Sequence, residues 1–115
     1  MCTPPGDHYT HVGKRRGYDM QDNEAVDWTA DGIYSTHLFT DKAIEVLQSH
    51  DPAAEPLFLM VTYQAIHSPM EVPAAYLDMC AGVSDVDRQI VCGMTAAMDE
   101  GGVGWGDEGR VEGEG

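Results

Sequence analysis

Leu57-Phe58-Leu59-Met60-Val61-Thr62-Tyr63 is a nearly unbroken apolar run, with Pro56 before it and Ser68-Pro69 after it. Its length suits a strand better than a helix, and its lack of polar alternation points to burial on both faces, as in a parallel sheet. Such a strand needs neighbours on both edges and helices on both faces. The chain offers one clear helix on each side and no second convincing central strand, only a short candidate over Ala25-Val26-Asp27-Trp28. The expected fold class is therefore α/β, with one buried strand flanked by two helices. The missing partner strands mark the sequence as a slice of a larger sheet.

The first helix is expected over residues 36–50. Phe39, Ala43, Val46 and Leu47 recur at helical spacing, and Asp41, Lys42, Glu45 and Gln48 take the outer side. Ser35 or Thr36 can cap it, and Asp51-Pro52 stops it. After the apolar run, residues 69–83 read as a loop with one helical turn near Ala74 to Met79. A second helix is expected over 84–100, with Ser84 and Asp87 resembling a capping box. Val86, Ile90, Met94, Ala97 and Met98 form its core-facing stripe. Residues 101–115, GGVGWGDEGRVEGEG, contain seven glycines and five charged residues, too few apolar groups for a buried face. They are expected to be a disordered acidic tail. The division is thus 1–100 as a partial domain and 101–115 as the tail.

Charge and composition exclude several classes. Six Lys and Arg against 20 Asp and Glu give a net charge of -14, which repels a phosphate backbone, so no nucleic-acid partner is expected. Anionic membrane surfaces are disfavoured too, and no apolar run reaches the ~18 residues a bilayer span needs. Met1 to Asp7 has neither a basic nor an apolar signal region, so no signal peptide is expected. Leu, Ile, Val and Phe number 21 of 115 residues, too thin a core for the chain to be expected to fold well alone. Lys14-Arg15-Arg16 reads as a solvated loop. Cys80 and Cys92 are the plausible disulfide pair, and free buried thiols are the alternative.

His67 is the candidate site residue. It stands four residues beyond the apolar run, and ligands of open α/β sheets bind beyond the carboxyl ends of the strands. A satisfied loop histidine is the competing reading. His8 and His11 have the three-residue spacing of some metal ligands but lie in a Pro/Gly-rich opening without helical pattern. His37 and His50 flank the first helix, and His50 reads as structural. Asp85, Asp87, Asp99 and Glu100 read as a solvated surface. No phosphate-binding glycine loop, G-x-S-x-G or H-E-x-x-H is present.

Longer stretches carry a resemblance. Gly32-Ile33-Tyr34-Ser35-Thr36-His37-Leu38-Phe39-Thr40-Asp41-Lys42-Ala43-Ile44 is similar to a segment of the sulfatase family. So is Pro56-Leu57-Phe58-Leu59-Met60-Val61-Thr62-Tyr63-Gln64-Ala65-Ile66-His67-Ser68-Pro69, followed by Val72-Pro73, Tyr76-Leu77, Gly93-Met94 and Met98-Asp99-Glu100. Tyr9-Thr10-His11 and Gly17-Tyr18-Asp19-Met20 fit more loosely. The match runs over about 9–100, in family order and spacing. Within the family it resembles the arylsulfatase B, I and J branch, and this chain corresponds to a central fragment.

The resemblance implies an alkaline-phosphatase-like α/β/α sandwich and hydrolysis of sulfate esters. It implies Ca²⁺ held by acidic residues and an Asn, and a formylglycine nucleophile made from the Cys of C-x-P-x-R. A divalent cation and cationic side chains would stabilise charge on the transferring sulfuryl oxygens. Of these groups only His67 maps here, as a contact to the substrate sulfate. Cys2-Thr3-Pro4-Pro5-Gly6 has Gly where the pattern needs Arg, and Lys14 lacks the histidine of the family's G-K-x-H segment. No catalytic or metal-binding residue is assigned within this chain, which is expected to be inactive by itself. A complete parent would act on a sulfated small molecule or glycosaminoglycan, in the lysosome or outside the cell. The alternative is a catalytically dead, truncated sulfatase-like binding protein.

Overall fold

A computed structural model describes residues 7–13 and 17–108; side chains are described as far as Gly104. It is a small mixed helix and strand structure: β1 (Gln21–Asp22), β2 (Ala25–Val26), a 3-10 turn (Trp28–Ala30), α1 (Ser35–Ser49), α2 (Ala74–Met79) and α3 (Val86–Glu108). β1 and β2 form an antiparallel hairpin in which Gln21 pairs with Val26 and Asp22 with Ala25. Asn23 in the connection has φ of 55°, a left-handed conformation that Asn tolerates in tight hairpins. Of the short strand expected over Ala25-Val26-Asp27-Trp28, the hairpin contains Ala25 and Val26, and Trp28 instead opens the 3-10 turn. Lys42 of α1 reaches Asp22 at 2.9 Å and Glu45 at 2.9 Å and so ties the hairpin to the helix.

The helices fall close to the expected places, with corrected ends. α1 begins at Ser35 after Tyr34, and no side chain caps it. The Ser35 hydroxyl is engaged elsewhere, as described below. The sequence-based outer face holds: Asp41, Lys42, Glu45 and Gln48 are exposed and Ala43 is buried. α3 is capped by Asp85, whose carboxylate accepts from the Arg88 amide at 2.9 Å, so the Ser84–Asp87 capping box is not the one used. Val86 is exposed, and the buried stripe of α3 runs through Gly93, Met94, Ala97 and Gly101.

Two expectations are overturned. Residues 57–63 form no strand among the described residues, and the burial on both faces is absent. Phe58 is 88% exposed and Met60 72%, whereas Leu59, Val61 and Tyr63 are half-buried toward α1. A ladder needs a partner backbone, and the only sheet among the described residues is the two-stranded hairpin. The second correction concerns the glycine-rich end: α3 continues through Gly101 to Glu108. Gly101 is buried, so part of the expected tail packs against the body. Residues 109–115 lie outside the described region.

The core centres on Tyr34, Tyr76 and Ala97, with Tyr9, Val72 and Ala96 packed around them. Cys80, at the end of α2, is bonded to Cys92 of α3, which decides the cysteine question in favour of the disulfide.

Candidate functional site: the loop that carries His67

His67 lies in the connection between the apolar run and α2. Its amide donates to the Gln64 carbonyl at 2.9 Å, which closes a turn and lifts the side chain into an exposed position. Its Nδ1–H donates to the Ser68 carbonyl at 2.8 Å. A carbonyl can only accept, so this contact places a proton on Nδ1 and leaves Nε2 for a ligand. Nε2 then carries a hydrogen, and can donate to an anion, only when the ring is an imidazolium. The Ala65–Ile66 and Ser68–Pro69 peptide bonds in this loop are cis.

Buried groups hold the loop from below. His8 is fully buried, and its Nε2–H donates to the His67 carbonyl at 3.0 Å. Its Nδ1 faces the Ser35 hydroxyl at 2.9 Å, at the first turn of α1. The His8 amide donates to the Glu71 carboxylate at 2.8 Å, and the Tyr34 hydroxyl donates to the Glu71 carbonyl at 3.1 Å. Burial raises the Tyr34 hydroxyl pKa above the ordinary range and raises that of the Glu71 carboxyl as well. His11 is buried too, with Nε2–H donating to the Ala30 carbonyl at 2.9 Å. The His8/His11 pair is therefore structural: the two rings serve different backbone carbonyls and do not share a ligand position. Nothing in the sequence around His8 links it to His67. Fifty-nine residues separate the two, and no local pattern announces the contact.

His37 belongs to a separate network beside the core. Its Nε2 lies 2.9 Å from the Tyr76 hydroxyl. Burial, then the neighbouring Glu100 carboxylate, pushes the Tyr76 hydroxyl up to about 12.

Asp7 anchors the segment that delivers His8. Its carboxylate accepts from the Tyr9 amide at 2.9 Å and the Thr10 amide at 2.7 Å. The Thr10 amide is the leading reason that the Asp7 pKa falls to about 2 from 3.8. A depressed acid stabilises the folded state above its unfolded pKa and loses that contribution as pH falls through the folded one. Asp7 therefore contributes fully above about pH 4, and its contribution fades toward pH 2. Asp7→Asn keeps an accepting oxygen and removes the titration. The stability difference between wild type and this variant should shrink as urea unfolding is moved from pH 5 to pH 2.5. A constant difference would refute the assignment. Glu71 shifts the opposite way, in part because of Asp7 itself, so the comparison is made with Glu71→Gln in both proteins.

Among the described residues no three His, Cys, Asp or Glu side chains converge on one point. Asp7 and Glu71 carry carboxyls near one another, but both are engaged by backbone amides. Cys2 and Lys14 lie outside the described residues. A cleft of about 500 Å³ lies between the hairpin and α1, lined in part by Leu38, Phe39, Asp22, Asp27, Asp41 and Glu45. It contains no residue of the His67 loop, and its carboxylates repel an anionic ester. No described helix is long and apolar enough to cross a membrane.

No family model matches the chain. It is 38% identical over 100 residues to arylsulfatase J of Mus musculus, an alignment that covers 83% of this chain and 17% of that protein. The chain thus spans about a sixth of the length of the curated relative it matches. Agreement at 38% identity over 100 residues supports membership of the sulfatase family.

Proposed function

We propose that these residues are a central part of an arylsulfatase-type sulfuric ester hydrolase of the B, I and J branch, in which His67 contacts the sulfate of the substrate. The observation that carries the reading is the exposed His67 ring, on a loop whose backbone is held by the buried His8, within a chain similar to arylsulfatase J. As an imidazolium, His67 offers Nε2–H to a sulfuryl oxygen while Nδ1–H stays on Ser68. A charge-assisted hydrogen bond of this kind stabilises charge that grows on that oxygen during S–O cleavage. The nucleophile and the calcium ligands of the parent enzyme are assigned to chain beyond these residues.

The parent fold in this reading is the alkaline-phosphatase-like sandwich. The exposed Phe58 and Met60 side chains support it, since side chains of that size are rarely left next to one another in water. The substrate class is a sulfated small molecule or glycosaminoglycan. The Cys80–Cys92 disulfide supports a parent that matures in an oxidising compartment and works in the lysosome or outside the cell.

The test is a chimaera in which residues 9–100 replace the matching segment of the mouse arylsulfatase. It should hydrolyse an aryl sulfate, and His67→Ala within it should lower kcat/KM by about 100-fold. A folded chimaera that turns over equally well with alanine at 67 would overturn the assignment.

A further inference from the structure

We propose that His8 is the positioning residue of His67: its buried imidazole fixes the 67–68 peptide and so sets the direction in which the His67 ring meets an anion. This rests on the reading of His67 as a sulfate contact.

The Nε2–H of His8 holds the His67 carbonyl at 3.0 Å. That carbonyl belongs to the peptide whose far side supplies Ser68, the residue that accepts the His67 Nδ1–H. One buried donor therefore orients both the backbone under His67 and the partner that sets its ring tautomer. His8 is itself fixed from two further directions. Ser35 Oγ faces its Nδ1 at 2.9 Å, and its own amide donates to Glu71 at 2.8 Å. Donation by Ser35 to Nδ1 is what keeps the proton of a neutral His8 on Nε2. Ser35 and His8 are both fully buried, so water cannot replace the contact between them. The Tyr34 hydroxyl holds the loop farther along, at the Glu71 carbonyl. Among the described residues, the turn closed by the His67 amide on Gln64 is a local contact, whereas the His8 contact ties the loop to α1.

The experiment follows the His67 ring of the 115-residue chain by NMR during titration with sodium sulfate, against sodium chloride at matched ionic strength. Wild type should show a saturable sulfate shift at His67. His8→Ala should weaken it by about tenfold, the size of effect seen when a residue that orients a ligand is removed. His8→Gln should recover most of the affinity, because its amide donates to the His67 carbonyl while its oxygen accepts from Ser35. Ser35→Ala leaves the backbone contacts of His8 in place and frees its tautomer. It should give a partial loss, and it carries the test if His8→Ala does not fold.

A melting temperature that drops in folded His8→Ala while sulfate affinity stays unchanged would overturn the positioning role. So would an unchanged affinity in Ser35→Ala when His8→Ala does not fold. Absence of any sulfate shift in wild type would instead count against the sulfate reading of His67, which separates the two failures.

Discussion

Replacing Cys80 and Cys92 together by serine is expected to lower the stability of the folded chain by about 3 kcal/mol. The bond closes a loop with a sequence separation of 12, short enough to order the segment and long enough to restrict the unfolded chain appreciably. It also acts where the fold is weakest. α2 has six residues, far below the length at which a helix sustains itself in water. Cys80 is its C-cap, and the disulfide fastens that end to α3. Other contacts would remain after reduction, among them the Gln89 amide on the Leu77 carbonyl at 3.2 Å, the close approach of Gly93 to Tyr76, and the packing of Tyr76 with Ala97. They gather around Tyr76 and Leu77 and leave the Cys80 end of α2 to the covalent link. Urea unfolding with and without reductant measures the effect. Reduced wild type should match the double variant, and a midpoint unmoved by reductant would show that α2 is held by packing alone.

The second large effect is expected at Gly101. Thr40 of α1 donates its hydroxyl to the Thr36 carbonyl at 2.9 Å, and the Tyr63 hydroxyl lies 2.9 Å from the Thr40 hydroxyl oxygen. Gly101 sits against this pair. A Cβ there would overlap the Thr40 hydroxyl and stand 3.0 Å from the Tyr63 hydroxyl. Three parts of the chain meet at this point: α1, the end of the apolar run and α3. Gly101→Val must push α3 away or break the hydroxyl pair, at about 3 kcal/mol, the upper part of the range for overpacking. Gly102 is the control, because a Cβ there meets nothing within 4 Å. Gly102→Ala should stabilise the helix by up to about 1 kcal/mol through propensity alone. Thermal unfolding of the two variants should therefore move in opposite directions. If Gly101→Val leaves the melt unchanged, α3 does not pack on α1 at this position.

Much of this architecture is legible along the chain. The 3.6-residue spacing of Phe39, Ala43, Val46 and Leu47 located α1, Pro52 located its end, and the small helix near Ala74 and the pairing of Cys80 with Cys92 were within reach of local signals. The errors have one cause. Composition treats Gly101, Gly102 and Gly104 alike, as breakers that cannot bury a face. A helix that must come close to a threonine and a tyrosine uses the missing side chain of Gly101 as space. Likewise the apolar run at 57–63 was read from its own residues, while strand formation and burial depend on a partner that the described residues do not supply.

The candidate site divides in the same way. His67, its place after the apolar run and the family resemblance around it are all present in the order of residues. What tertiary structure alone decided is that His8, fifty-nine positions away, lies beneath it with a hydrogen bond to its carbonyl. Periodicity and capping report interactions between near neighbours, because the backbone geometry that creates them repeats within a few residues. A buried donor meeting a distant carbonyl follows from packing of the whole chain, and no local spacing encodes it.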